Sequence, residues 1–213
     1  MFQFSRKLIP IVAAAAVLAV AAVYLIARPE GNGSASKDAP ALASYATGAV
    51  ANFRAEAVPQ DLPDIAFHDG EGKALTLAHF RGKLVLLNLW ATWCTPCREE
   101  MPALNALQGA LGGADFEVVA LSVDRNGLEL ARAFLKEVKA DHLALYNDPV
   151  PRASFALKVF GMPTTLLISP EGKELGRLVG PAHWDAPEAK ALIAAARGDA
   201  GGIQRVGTGL SPR

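Results

Sequence analysis

The chain has 213 residues, 51% hydrophobic and 20% charged, enough for one domain of ordinary size with extensions rather than two. Lys+Arg and Asp+Glu balance at 21 each, so the overall charge lacks the basic footprint of nucleic-acid binding, and no nucleic-acid partner is expected. The only cysteines, Cys94 and Cys97, have two residues between them; a disulfide there closes a very small loop and removes little unfolded-chain entropy, so the pair is a poor structural staple.

Arg6 and Lys7 precede an uncharged run, Leu8 to Ala27, which as a helix would span roughly 30 Å, the thickness of a bilayer's hydrocarbon core. Arg28 closes it. Positive charge on the N-terminal side predicts an N-inside, single-pass anchor over residues 1–28, with the rest of the chain in the periplasm of a bacterium, attached to the inner membrane. The competing reading is a cleaved signal peptide with Ala19-Val20-Ala21 as its small-x-small site, which would leave the apolar Val23-Tyr24-Leu25-Ile26 at the mature end. Either way the domain is exported.

Residues 29–57, rich in Gly, Ala, Ser and Pro, read as a flexible tether with one short helix around Leu42 to Phe53. The folded domain is expected over 58–197. It opens on a hairpin: Ile65-Ala66-Phe67, a turn at Asp69-Gly70-Glu71-Gly72, then Leu75-Thr76-Leu77. Leu84 to Trp90 is nearly continuous in apolar residues, as a central strand buried on both faces should be. After the cysteines, Pro96, Leu104, Leu107 and Leu111 mark a helix that ends at Gly112-Gly113. Phe116 to Val123 is the next strand, and Leu128, Ala131, Leu135 and Val138 lie on one face of the next helix. Strand, helix, strand, helix implies parallel pairing. A short stretch at Leu143 to Tyr146 and a brief helix at Arg152 to Phe160 lead to Gly161-Met162-Pro163. Thr164 to Ser169 and Glu174 to Val179 form a second hairpin about Pro170-Glu171-Gly172. Pro187 to Ala196 suits a last helix, and residues 198–213 are too polar and Gly-rich to pack.

A Cys-x-x-Cys pair serves zinc ligation, haem attachment or thiol–disulfide exchange. The four histidines, His68, His79, His142 and His183, do not provide the spacing of a closed zinc site, and Arg98 stands where haem attachment needs His. No metal and no cofactor is expected. Exchange needs one accessible, acidified thiol and a second close enough to resolve the mixed disulfide. Cys94, at the first helical turn, meets unpaired amide N–H groups and the positive end of the helix dipole, and is the expected attacker. Cys97, one turn in, is the expected resolving thiol.

With WATWCTPCREEMP after an apolar strand, GMPTT, GPAHW and an export signal, residues 60 to about 197 resemble the membrane-anchored, thioredoxin-fold thiol:disulfide interchange proteins of the TlpA/ResA/CcmG kind, nearest to TlpA. The resemblance implies an α/β, thioredoxin-like fold. Its mixed central sheet is flanked by helices, with an N-terminal hairpin, a helical insertion at Asp124 to Asp148 and one N-terminal transmembrane helix. The insertion reads either as partner recognition or as extra cover for the core. The implied activity is a protein-disulfide reductase that keeps exported cysteines reduced during cytochrome oxidase copper-site assembly or cytochrome c maturation. Its implied partners are a disulfide-containing periplasmic protein and a membrane electron donor; the chain is expected to be monomeric.

Within this resemblance Trp93 is either a substrate-contacting aromatic or simple packing, and Thr95-Pro96 tune the redox potential. Met162-Pro163 matches a cis-proline dipeptide that pairs with extended substrate; the alternative is an ordinary trans turn. Glu100 matches an acid that assists proton transfer, or is an exposed acid in a helix's first turn. Asn88 stands where thioredoxin has a buried Asp, and an amide cannot shuttle a proton to Cys97. Rival readings are a thiol oxidase or isomerase, a Sco-type copper carrier with His183 as third ligand, and a thiol peroxidase. The copper carrier is short of one residue between its cysteines. The peroxidase lacks its Thr, replaced by Ala91.

Overall fold

The computed structural model describes residues 42–125 and 127–198. The expected membrane-spanning run and the polar tail past Gly198 lie outside these residues. Among the described residues no helix is long and apolar enough to cross a membrane.

The central strand is β4 (Leu84–Trp90), in which all seven side chains are buried. An apolar strand of this kind has neighbours on both edges and helices on both faces. It runs parallel to β5 (Phe116–Ser122) and antiparallel to β7 (Thr164–Ile168). Beyond β7 come β8 (Lys173–Val179) and β1 (Arg54–Asp61), both antiparallel. Beyond β5 come the two-residue β6 (Tyr146–Asn147), then β2 (Ala66–Asp69) and β3 (Ala74–Thr76). The sheet order is β1-β8-β7-β4-β5-β6-β2-β3, a mixed sheet.

Helix α1 (Thr95–Leu111) joins β4 to β5, and α2 (Leu128–Glu137) joins β5 to β6. The short α3 (Arg152–Ala156) follows, and α4 (Pro187–Ala196) closes the fold. Helix α1 keeps Leu104 and Leu107 buried at the predicted spacing and passes through Pro102, eight positions into its sequence run from Thr95. The hairpin β2–β3 turns where Asp69 Oδ1 accepts from the N–H groups of Glu71 (3.0 Å) and Lys73 (2.8 Å), with Gly72 at φ 81° supplying the left-handed residue. Its Phe67 packs against Phe80 and Tyr146 at centroid distances of 6.2 and 5.7 Å, tying the hairpin to β6.

The tether expected over 29–57 differs from the structure in its second half. Leu42, Val50 and Phe53 are buried in the main core, a helical turn forms at Gly48–Val50, and β1 starts at Arg54. The physical reason is pairing. β1 has no apolar stripe, but its backbone completes the edge of β8, and Phe53 lies directly over Gly176, where a side chain would collide with it.

Candidate active site

β4 ends at Trp90, and the backbone folds back at once: the Cys94 N–H donates to the Ala91 carbonyl at 3.1 Å. This turn puts Cys94 at the N-cap of α1, with Pro96 inside the first turn, where a missing N–H costs nothing. Cys94 and Cys97 form a disulfide, Cα atoms 5.3 Å apart. The Cys97 N–H points at Cys94 Sγ, 3.3 Å away, so a helix-terminal amide faces the sulfur that would carry charge as a thiolate. Cys97 is wholly buried, whereas Cys94 retains 6% exposure.

Cys94 lines a groove of about 920 Å³ together with Trp93, Pro96, Met162, Phe155 and Phe160. Its walls are apolar and open to solvent: Trp93 is 69% exposed, Phe155 83% and Phe160 95%. Such side chains are costly to leave in water unless something covers them in use. The exposure of Trp93 removes the packing alternative for it. Met162-Pro163 is a cis peptide, as the resemblance implied, and Pro163 is buried beside the groove. Thr95 is exposed at the start of α1. Of the insertion, Ala131, Phe134 and Leu135 cover the core, as one of the two readings expects, and Leu130 lines the groove.

Glu100 is not the exposed first-turn acid. One turn beyond Cys97 on α1, it is 4% exposed, and its carboxylate accepts from Asn88 Nδ2 (2.7 Å) and from the Ala182 N–H (3.2 Å). Burial pushes its pKa up from 4.5 to about 7, against the opposing pull of Asn88, Ala182 and Trp184. The buried Trp184 Nε1 has no partner within hydrogen-bonding geometry. Asn88 also donates to Thr165 Oγ1 at 3.0 Å, linking β4 to β7 beneath the cysteines. A carboxyl poised near neutrality, next to a pair that must gain and lose protons, is suited to proton transfer. His183 is exposed, and among the described residues no cluster of three or more His, Cys, Asp or Glu side chains converges on a common point.

Sequence reasoning missed the groups behind the turn. Asp124, buried just past β5, accepts from the Thr92 N–H (3.0 Å) and Thr92 Oγ1 (2.8 Å), and Ser122 Oγ donates to it at 2.8 Å. Asn147 donates to the Asp124 carbonyl at 3.1 Å. The signal available was a lone acid closing an apolar strand. Phe155 and Phe160 were also passed over, although two aromatics just before a Gly-x-Pro turn are a visible cue.

Residues 58–173 match the AhpC/TSA family. The chain is 35% identical over 131 residues to the thiol-disulfide oxidoreductase ResA of Geobacillus thermodenitrificans, covering 58% of this chain and 72% of that protein. It is 37% identical over 108 residues to the thiol:disulfide interchange protein CycY of Rhizobium leguminosarum, covering 51% of this chain and 56% of that one. Among solved structures, a thiol:disulfide interchange protein DsbE from Chlorobium tepidum superposes with a TM-score of 0.58 at 33% identity, over 65% of this chain and 96% of that one.

Proposed function

Since the chain belongs to the AhpC/TSA family, among the ResA/CcmG/DsbE-type thiol-disulfide oxidoreductases, we propose that it exchanges thiols through Cys94 and Cys97 as a dithiol reductase of exported proteins. In the reduced enzyme the Cys94 thiolate attacks one sulfur of a substrate disulfide. A mixed disulfide forms and the other substrate sulfur leaves as thiolate. Cys97 then gives its proton to the Glu100 carboxylate and attacks Cys94 Sγ, which releases the second substrate thiolate and leaves the Cys94–Cys97 disulfide. Two electrons pass to the substrate, and a membrane electron donor restores the pair.

The observation that carries the direction is Glu100. A strong oxidant of this chemistry owes its potential to a stabilised reduced form. Among the described residues one backbone N–H, that of Cys97, faces Cys94 Sγ, and the buried carboxyl one turn from Cys97 opposes a thiolate there once ionised, which weighs against a strongly stabilised reduced form. The different accessibility of the two sulfurs supports Cys94 as attacker, and the apolar groove supports a protein rather than a small polar substrate. The charge pattern about Leu8 to Ala27 supports an N-inside anchor in the inner membrane with the catalytic domain in the periplasm. Within this reading the substrate belongs to cytochrome oxidase copper-site assembly or cytochrome c maturation, as the resemblance implies. Glutathione titration of the pair tests the direction: a reductase lies near the thioredoxin end of a scale whose DsbA end is roughly 150 mV higher, about 7 kcal/mol for two electrons. A potential at the DsbA end makes the protein an oxidase.

A further inference from the structure

The geometry assigns Asp124 a task in the exchange reaction: it is a positioning residue that sets Cys94 in attacking position by holding Thr92. The inference rests on the family's exchange activity and not on the reductase direction. Thr92 is the second residue of the turn Ala91–Cys94, and each of its polar groups is held from outside the turn. Its N–H donates to both oxygens of Asp124, at 3.0 and 3.3 Å, and its hydroxyl donates to Oδ1 at 2.8 Å. Its carbonyl accepts from Arg98 Nη1 at 3.5 Å.

Both holding groups are themselves anchored. The Asp124 N–H donates to Ser122 Oγ at 3.1 Å, and Asn147 ties Ser122 and Asp124 to β6 through bonds to both backbone carbonyls, at 3.2 and 3.1 Å. The ladder between β4 and β5 continues one step past the strands, with the Val123 N–H on the Trp90 carbonyl at 2.9 Å, which brings Asp124 level with Thr92. Arg98 lies over the Phe134 ring at 4.4 Å and meets Glu137 at 3.4 Å. A buried carboxyl group is costly unless its oxygens are satisfied, and three donors supply this, the Thr92 N–H, shared between both oxygens, the Thr92 hydroxyl and the Ser122 hydroxyl. The turn it fixes does three things at once: it throws Trp93 outward, places Cys94 Sγ before the Cys97 N–H, and starts α1. Attack on a disulfide demands in-line placement of the sulfur, and small displacements of a reacting group are expensive.

The test is the rate at which the reduced full-length protein attacks dipyridyl disulfide, followed by release of two pyridinethiones as Cys94 attacks and Cys97 resolves. No protein substrate enters, so the outcome is independent of the reductase direction. Asp124→Ala is expected to slow the attack about tenfold, and Asp124→Asn, which keeps an oxygen acceptor for Thr92, to restore most of the rate. Thr92→Val, which preserves shape and removes the hydroxyl donor, is expected to slow it about threefold, with Thr92→Ser close to the parent. This pair decides the matter if Asp124→Ala does not fold. Unchanged or faster attack in Asp124→Ala, or in Thr92→Val where only that variant folds, overturns the assignment. So does a lowered melting temperature with an unchanged rate, because a purely structural carboxylate acts on stability alone.

Discussion

Asn88 Nδ2 donates to Glu100 Oε1 across 2.7 Å, joining the central strand to the helix that carries the cysteines. The amide stands where a proton carrier would otherwise stand, and it partners the group able to be one. Because burial raises the Glu100 pKa, the folded state holds a proton that the unfolded chain has already released. The contribution of Glu100 to the stability of the oxidised protein therefore falls as pH rises from 4.5 to about 7 and levels off above that. The full loss is on the order of 3 kcal/mol. In Glu100→Gln this slope disappears, as denaturant unfolding across the range will show. If Glu100 takes the Cys97 proton as proposed, the same variant also loses a rise in exchange rate near pH 7.

Cys94→Ser abolishes disulfide reduction. Cys97→Ser is expected to retain the attacking sulfur and accumulate mixed disulfides with partner proteins, which non-reducing electrophoresis detects and mass spectrometry identifies. Adducts on Cys94→Ser but not on Cys97→Ser would exchange the two roles.

Phe160→Ser is expected to leave stability within about 0.5 kcal/mol, since the ring is almost fully in solvent. Its rate with a protein disulfide should nevertheless drop several-fold, while its rate with dipyridyl disulfide stays at the parent value. Equal effects on both substrates would mean the ring acts on the cysteines rather than on the partner.

Gly176→Ala tests the packing of the segment before the hairpin. A Cβ there would sit 2.5 Å from the Arg54 carbonyl oxygen and 2.6 Å from the Phe53 ring, and the carbonyl belongs to a strand that cannot yield without unpairing. A loss of about 2 kcal/mol is expected on chemical denaturation. Phe53→Ala, which opens a hole at the same place, is expected to cost about 3 kcal/mol.

The central strand, the cysteine-bearing helix, both hairpins and the last helix were legible because each carries a local signal: an apolar run, helical spacing, a Gly- and Pro-marked turn. β1 was not, because Arg54–Asp61 alternates without an apolar face and becomes a strand only through the edge it pairs with. In the site, the cysteines and Pro163 stood out by motif. The burial of Glu100 did not, since an acid early in a helix ordinarily faces water, and the Ala182 N–H that meets it comes from a segment 82 residues away. The grip of Asp124 on Thr92 spans two strands and has no trace in local spacing.

The sheet's two borders bear on how the protein avoids sticking to itself. On one, β1 carries Pro59 and slips register between Ala55 and Gln60; on the other, β3 is only three residues long. Neither offers a flat, extended template for fibril-like stacking or strand capture. A chain that leaves several aromatic rings bare beside its reactive sulfur has thus blunted the other route to unwanted association, and it can tolerate an adhesive cleft without polymerising through its rims.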